Sequence, residues 1–509
     1  MLDHRKRNTI VALLGLLTGC AAAPPISAPH STSSDVAWLN RVTFGISAQS
    51  AADLQREGRA GYLEQQLAAR EDPLPTPIAA QIDALEITDA DPVTLLHELA
   101  AENQHINALP EGAEREQARK TLNEHGNRLA YEAQRREILR ALYCPAQLRE
   151  QMVAFWLNHF SVYQYKAKVR WLAGDYVERA IRPHALGHFR DLVLATLEHP
   201  AMLQYLDNAQ NAVGHINENY ARELMELHTL GVQGGYSQQD VQALARILTG
   251  AGVYSGGAQP HLKPEWQSLY RREGAFEFNP ARHDFSDKQF LGETIHGAGF
   301  REIEQAVDRL TASAACARFI ARQLSSAFVA DNPPDGLVQR LTGIFQDTHG
   351  DIAAVMRALL TAPEFNAALG QKFKDPLHYV VSAVRLAYDT RPIANAHPLL
   401  NWLNGLGEAP FNRQTPDGYP LTESGWASSG QMSRRFEIAR AIGSGNAGLF
   451  EPEDGKPGAA AGFPRLASAL YYSQIETTLS ASTRAVLDAA TSQQEWNLLL
   501  LASPELNTR

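Results

Sequence analysis

Apolar residues return every third or fourth position through nine separate stretches: 115–142, 146–163, 188–206, 217–230, 237–250, 301–329, 351–361, 375–388 and 475–501. That period commits the chain to packing helices against helices. Turn-forming clusters divide the stretches, as at Gly231 to Gly235, Asn332-Pro333-Pro334-Asp335-Gly336 and Asp454-Gly455-Lys456-Pro457-Gly458. Between Gly252 and Gly297 the period changes. Phe276-Glu277-Phe278 alternates and Gln289-Phe290-Leu291-Gly292 reads as a second extended segment, which predicts a small β-hairpin inserted around residues 270–295. The expected fold is mainly α, a large single-domain multi-helix assembly over residues 37–509. No repeat of fixed period is present, which argues against a solenoid.

The N-terminus carries its own instruction. His4-Arg5-Lys6-Arg7 is a positive region, Ile10 to Leu17 an apolar one too short to span a bilayer, and Leu17-Thr18-Gly19-Cys20 closes it as a lipobox. Residues 1–19 are therefore expected to be a lipoprotein signal peptide and Cys20 the lipidated residue. Residues 20–36, rich in Ala, Pro and Ser, are expected to be a tether to the cell envelope, with the outer membrane as the expected site. Loss of Arg5, Lys6, Arg7 and Asp3 with the leader takes 46 basic and 56 acidic residues to 43 and 55, a net charge of −12. With no basic face in evidence, nucleic acid is not an expected partner. The expected partners are a membrane, through the lipid, and a polymer substrate or an envelope protein. Cys144 and Cys316 either pair in an oxidising compartment or stay as small buried hydrophobes; spacing does not choose between these.

Several catalytic patterns fail on context. Gly443-Ser444-Gly445-Asn446-Ala447-Gly448 has the glycines of a dinucleotide loop but follows a helical stretch, not a strand. His97-Glu98 begins like a zinc-protease helix, yet the position four after His97 is Ala101, which ligates nothing.

One constellation survives. Asn217 opens and Gly231 stops a helix on which, at about 100° per residue, Asn219, Arg222, Glu223 and Glu226 share one side. Ala221, Leu224, Met225 and His228 share the other. Two carboxylates one turn apart beside an arginine can hold separated pKa values, one as acid and one as base, or bind a hard cation through oxygen. Glu218, Arg222 and Glu226, spaced four apart, equally read as a solvated ion-pair ladder. Arg246 is placed to reach back to Glu223 or Glu226, and Ser237 to Asp240 reads as a capping box. Phe155-Trp156-Leu157-Asn158-His159-Phe160 sets a polar pair in an apolar run, so Asn158 and His159 either satisfy one another's surroundings in the core or line a site. His283-Asp284 offers an oriented imidazole or an Asx turn. Tyr419 and Trp426 stand out for their Gly/Pro-rich loop.

Taken together, Trp38-Leu39-Asn40-Arg41 with Thr43-Phe44-Gly45, the Phe155 to Phe160 run, Asn217 to Leu227, Asp240-Val241 with Leu248-Thr249-Gly250, His283-Asp284 with Lys288, and Ser503-Pro504-Glu505 resemble the bacterial family called domain of unknown function 1800. The resemblance implies a secreted, mostly helical, single-domain protein and brings no reaction or catalytic residues with it. The chain departs from that family at Leu157, where histidine is frequent, which removes a neighbour from any metal role for Asn158-His159.

Two function classes follow as expectations. The first is an extracytoplasmic hydrolase or lyase acting on an envelope or extracellular polymer, with Glu223 and Glu226 as acid and base, Arg222 tuning them, and His159 or His283-Asp284 assisting. The second is a non-catalytic envelope adaptor in which these residues are struts. Neither cofactor nor metal is named by the sequence.

Overall fold

The computed structural model describes residues 33–69, 74–257, 259–453 and 462–509. The expected leader and Cys20 lie outside the described residues. Helix Ser33–Val42 starts inside the stretch expected as tether, because Val36, Trp38, Leu39 and Val42 form an apolar face that is buried. It also carries Arg41 into the core. The Arg41 guanidinium donates to the carbonyls of Phe328 (2.6 Å), Val329 (3.0 Å), Ala368 (2.7 Å) and Arg509, so one side chain ties together segments far apart in sequence. Burial, then the neighbouring Arg509, lowers its pKa to about 9.

Mainly α is what the chain adopts. The stretch 115–142 becomes Ala113–Tyr143, 146–163 becomes Gln147–His159 and 375–388 becomes Pro376–Tyr388. Three stretches divide at local stops: 188–206 at His199-Pro200, 301–329 at Ser313, whose hydroxyl caps the next helix through the Cys316 amide, and 475–501 at Ser480 and Ser492, each capping the helix that follows. Ser429–Ser444 lacks a clean apolar stripe because Arg435, only 1% exposed, occupies a core position. Its guanidinium donates to Asn507 Oδ1 (3.1 Å) and to the Lys374 carbonyl (2.6 Å).

The expected insertion is two small sheets. Strands β1 (Ala251–Val253), β2 (Arg271–Glu273) and β3 (Phe276–Phe278) form one antiparallel sheet in the order β1-β3-β2, with Val253 and Glu273 both opposite Phe276. Strands β4 (Lys288–Phe290) and β5 (Glu293–Ile295) form a separate hairpin. The two extended segments read from sequence therefore do not pair with each other. Each folds on its nearest neighbour through a two-residue turn: Gly274-Ala275, with Gly274 at φ 54°, and Leu291-Gly292, with φ 50° and 81°, the positive pair a type I′ hairpin needs. Short loops close before long ones.

Below the sheets lies a continuous apolar core that includes Trp156, Phe160, Phe189, Leu224 and Met225. Cys144 and Cys316 are buried free thiols within the fold, the second of the two readings left open above. Among the described residues no helix is long and apolar enough to cross a membrane.

Candidate functional site

The glutamate-rich segment is helical from Asn219 to Glu223 and continues as a π turn over Leu224–Thr229. Asn217 supports its start, its Oδ1 accepting the Asn219 amide at 2.9 Å, while Asn219 Nδ2 donates to the Leu206 carbonyl. In the π turn the Leu230 amide reaches the Met225 carbonyl, five residues back, at 2.8 Å. Ala221, Leu224, Met225 and His228 are buried as one face. On the other face Arg222 pairs with Glu218 (3.2 Å) and Glu226 (3.5 Å) and donates to Gln238 Oε1 (2.9 Å), and Tyr236 hydrogen-bonds Glu226. Arg222 is 38% exposed, so water screens the ladder. Glu223 sits beside it, half-buried; burial first, then Glu226, raises its pKa against Arg222. Arg246 does not reach back to either glutamate. It is held by Asp284 at 2.8 Å, because Asp284 comes close on the insertion.

The other sequence candidates separate. Asn158 Oδ1 accepts the Tyr419 amide at 2.6 Å and its Nδ2 donates to the Tyr419 carbonyl at 3.1 Å, so one side chain clamps the Gly/Pro-rich loop. Gly418, at φ 73°, makes room: a Cβ there would fall 2.5 Å from the Asn158 carbonyl oxygen. His159, next in sequence, turns away and donates from Nε2 to the His228 carbonyl at 3.0 Å, among Phe155, Trp156, Phe160 and Phe319. Burial lowers its pKa to about 4, which keeps it neutral. His283 is deeply buried, bridging the Thr249 carbonyl (2.7 Å) and Glu302 Oε1 (2.8 Å). Lys288 takes the other Glu302 oxygen at 2.5 Å, and Asp284 makes an Asx turn with the Ser286 amide. Although burial opposes it, the His283 and Lys288 hydrogen bonds hold the Glu302 carboxyl below its ordinary range. This network fixes the insertion to helix Phe300–Ala312. Asp240 closes its capping box with Ser237 and also accepts the Leu291 amide at 2.7 Å, which pins the β4–β5 turn.

Asn158, Tyr419 and Trp426 do border a void, in company with residues that the sequence did not single out. Two adjoining cavities of about 70 and 60 Å³ share Ala154, Asn158, Leu377 and Glu408. Phe44, Leu157 and Phe411 wall one; Asp375, His378 and Arg509 line the other. Asp375 caps helix Pro376–Tyr388, accepting the His378 amide (2.8 Å) and the His378 Nδ1–H (2.7 and 2.8 Å). Arg509 Nη1 donates to His378 Nε2 at 2.6 Å and to Gln151 Oε1 at 3.0 Å. A guanidinium can only donate, so Nε2 carries the lone pair and Nδ1 the proton. Burial and then Arg509 lower the His378 pKa to about 4, in keeping with a neutral ring. Against burial, His378 and Arg509 hold the Asp375 carboxyl well below the usual range. Glu408 goes the other way: loss of water, then the Asp375 charge, pushes its carboxyl well above the ordinary value, while its Oε2 accepts the Leu377 amide at 2.9 Å. The site thus sets a carboxyl whose pKa burial raises beside an anion-backed imidazole lone pair.

Sequence reasoning did not single out Asp375, His378, Glu408 or Arg509. The available signal was local: Asp-Pro-x-His at a helix start places a capping carboxylate and an imidazole on the same first turn. Among the described residues no three His, Cys, Asp or Glu side chains cluster as a metal site would.

No curated protein and no solved structure matches the chain. The family model described as "Protein of unknown function (DUF1800)" matches residues 37–508, nearly the whole length. By that coverage the chain belongs to the DUF1800 family.

Proposed function

We propose that the chain is an extracytoplasmic hydrolase or lyase, held to the cell envelope through a lipid on Cys20, that acts on an envelope or extracellular polymer. Its acid–base chemistry is placed at the Glu408 cavity. The observation that carries this reading is one void lined by both Glu408, whose carboxyl burial pushes above its ordinary range, and His378, whose Nε2 lone pair faces Arg509 and whose pKa is lowered. Environments that push two groups apart in this way set up an acid and a base. Glu408 donates the proton to the departing oxygen. His378 Nε2 accepts one from water or from carbon, with Asp375 fixing the tautomer and stabilising the imidazolium that forms. At rest Nε2 is occupied by Arg509; a substrate anion that draws the guanidinium to itself frees the base. Cavities of 60 to 70 Å³ hold only a few waters, so what enters is a chain end or a substituent of the polymer, not its backbone.

The test is release of soluble product from purified peptidoglycan and from acidic exopolysaccharide. Glu408→Gln should reduce it by about 10²–10⁴-fold with the fold intact by circular dichroism. Full turnover by that variant, with loss in Glu223→Gln or Glu226→Gln, would move the chemistry to the helix surface. A wild type inactive on every polymer leaves the adaptor reading.

A further inference from the structure

A third small void, about 40 Å³, borders Lys374 and shares no lining residue with the two cavities at Glu408. Its buried lining includes Lys374, Tyr379 and Ser382, and its half-exposed residues include Asn40, Thr478 and Glu505. Val36, Ile46 and Leu501 make the walls apolar. Lys374 Nζ donates to Ser382 Oγ at 3.0 Å and to the Leu506 carbonyl at 2.9 Å; Ser382 Oγ donates to the Tyr379 carbonyl at 3.1 Å. Ser382 stands on the rigid helix Pro376–Tyr388, pressed by the backbone of Gly45, where any Cβ would fall 2.6 Å from that of Ser382.

We propose that Ser382 and Lys374 form a nucleophile–base pair that accepts a short acyl group from an ester. Arg509, Arg435 and Asp375 act on Lys374, and Glu505 and Tyr379 line the same void; burial first, then the two arginines, lowers its pKa to about 7 against Asp375, so a large share of the amine is neutral at physiological pH. In the step, the Ser382 O–H turns from the Tyr379 carbonyl to the neutral Nζ and Oγ attacks the acyl carbon. The ester C–O bond breaks, and the proton held on Nζ passes to the leaving alkoxide. Water then attacks acyl-Ser382, giving a proton to Nζ that passes to Ser382 Oγ as the acyl C–O bond breaks, and a carboxylic acid leaves with the serine and the neutral amine restored. A void this small admits an acyl group of acetyl size and excludes a fatty chain.

The experiment uses the full chain and methanesulfonyl fluoride, whose small sulfonyl group forms an O–S bond to an activated serine as fluoride leaves. Peptide mapping of the wild type should place the adduct on Ser382, with a labelling rate that rises as pH passes about 7. Lys374→Met should slow labelling by about 10²-fold or more, and Ser382→Ala should remove it. Glu408→Gln should label at the wild-type rate, which separates this pair from the polymer chemistry proposed above. An adduct on a serine other than Ser382, no adduct at all, or an undiminished rate in Lys374→Met overturns the proposal; the wild-type mapping decides even where a variant fails to fold.

Discussion

The helix at 217–230 and the cavity at Glu408 both bring carboxylates near arginine, and they differ in who satisfies whom. In the first, Arg222 stands between Glu218 and Glu226 in partial contact with water, one cation shared by two carboxylates, and solvent screens the charge it leaves over. In the second, the guanidinium of Arg509 is spent on an imidazole, a glutamine and the Ala327 carbonyl, and Glu408 faces the Asp375 charge with a backbone amide for company. A ladder of screened charges has little reason to move a proton. A carboxyl whose pKa is raised beside an imidazole whose pKa is lowered has such a reason, on the function proposed above. Acidic residue count along a helix says less about chemistry than where desolvation has been left unmatched.

The widest separation between the regions should come from activity. Glu408→Gln preserves shape and the hydrogen bond from Leu377 but removes the transferable proton, so kcat/KM should fall by about 10²–10⁴-fold. Glu226→Gln should stay within about threefold, since it weakens one screened ion pair. Equal losses at both positions would erase the distinction drawn here.

Much of the fold was legible because helical periodicity survives in a single sequence: Pro376–Tyr388 and Gln238–Ile247 fall where the apolar stripe puts them. Legibility stopped where polar atoms took core roles. Arg41 and Arg435 are buried by backbone carbonyls, and His283 by Glu302 and Lys288, contacts that no period records. The site was harder for a related reason. Asp375 and His378 are neighbours on one turn, yet Glu408 and Arg509 arrive from 33 and 134 residues further along, brought in by tertiary packing alone. The glutamate-rich helix drew attention because its charges are local; local charges are the ones that find partners locally.

Stability should separate the regions next. Gly418→Ala places a methyl against the Asn158 carbonyl at a φ of 73° that Ala resists, and it loosens the clamp that holds the loop over the cavity. A cost of about 2–3 kcal/mol is expected in urea unfolding, with activity lost in step. Loss of activity at unchanged stability would mean the loop does more than close the cavity.

A smaller and opposite effect belongs to Glu408 itself. Its folded pKa lies well above the unfolded value of about 4.3, so its favourable contribution is complete below that pH and is lost as pH rises toward the folded pKa. At neutral pH the group opposes folding, and Glu408→Gln should raise Tm by roughly 1–3 °C, with the gain vanishing near pH 4. A Tm that falls at neutral pH would show that the carboxyl is ionised and bound, and the cavity would then resemble the ladder.

The least effect is expected at Arg222→Ala. Three partners lose a contact, yet Glu218, Gln238 and Glu226 are each reachable by water, which replaces the guanidinium at little cost. The expected change is below about 1 kcal/mol and shrinks further in high salt, because exposed pairs are screened over a Debye length of about 10 Å at 0.1 M. Glu223 is the sensitive reporter: with Arg222 gone, the raised pKa of this half-buried carboxyl should climb further, readable by NMR titration of its side chain. A drop in stability of several kcal/mol, insensitive to salt, would show that the ladder fastens the fold as the Glu302 network fastens the insertion, and the two regions would differ in chemistry but not in how tightly the fold depends on them.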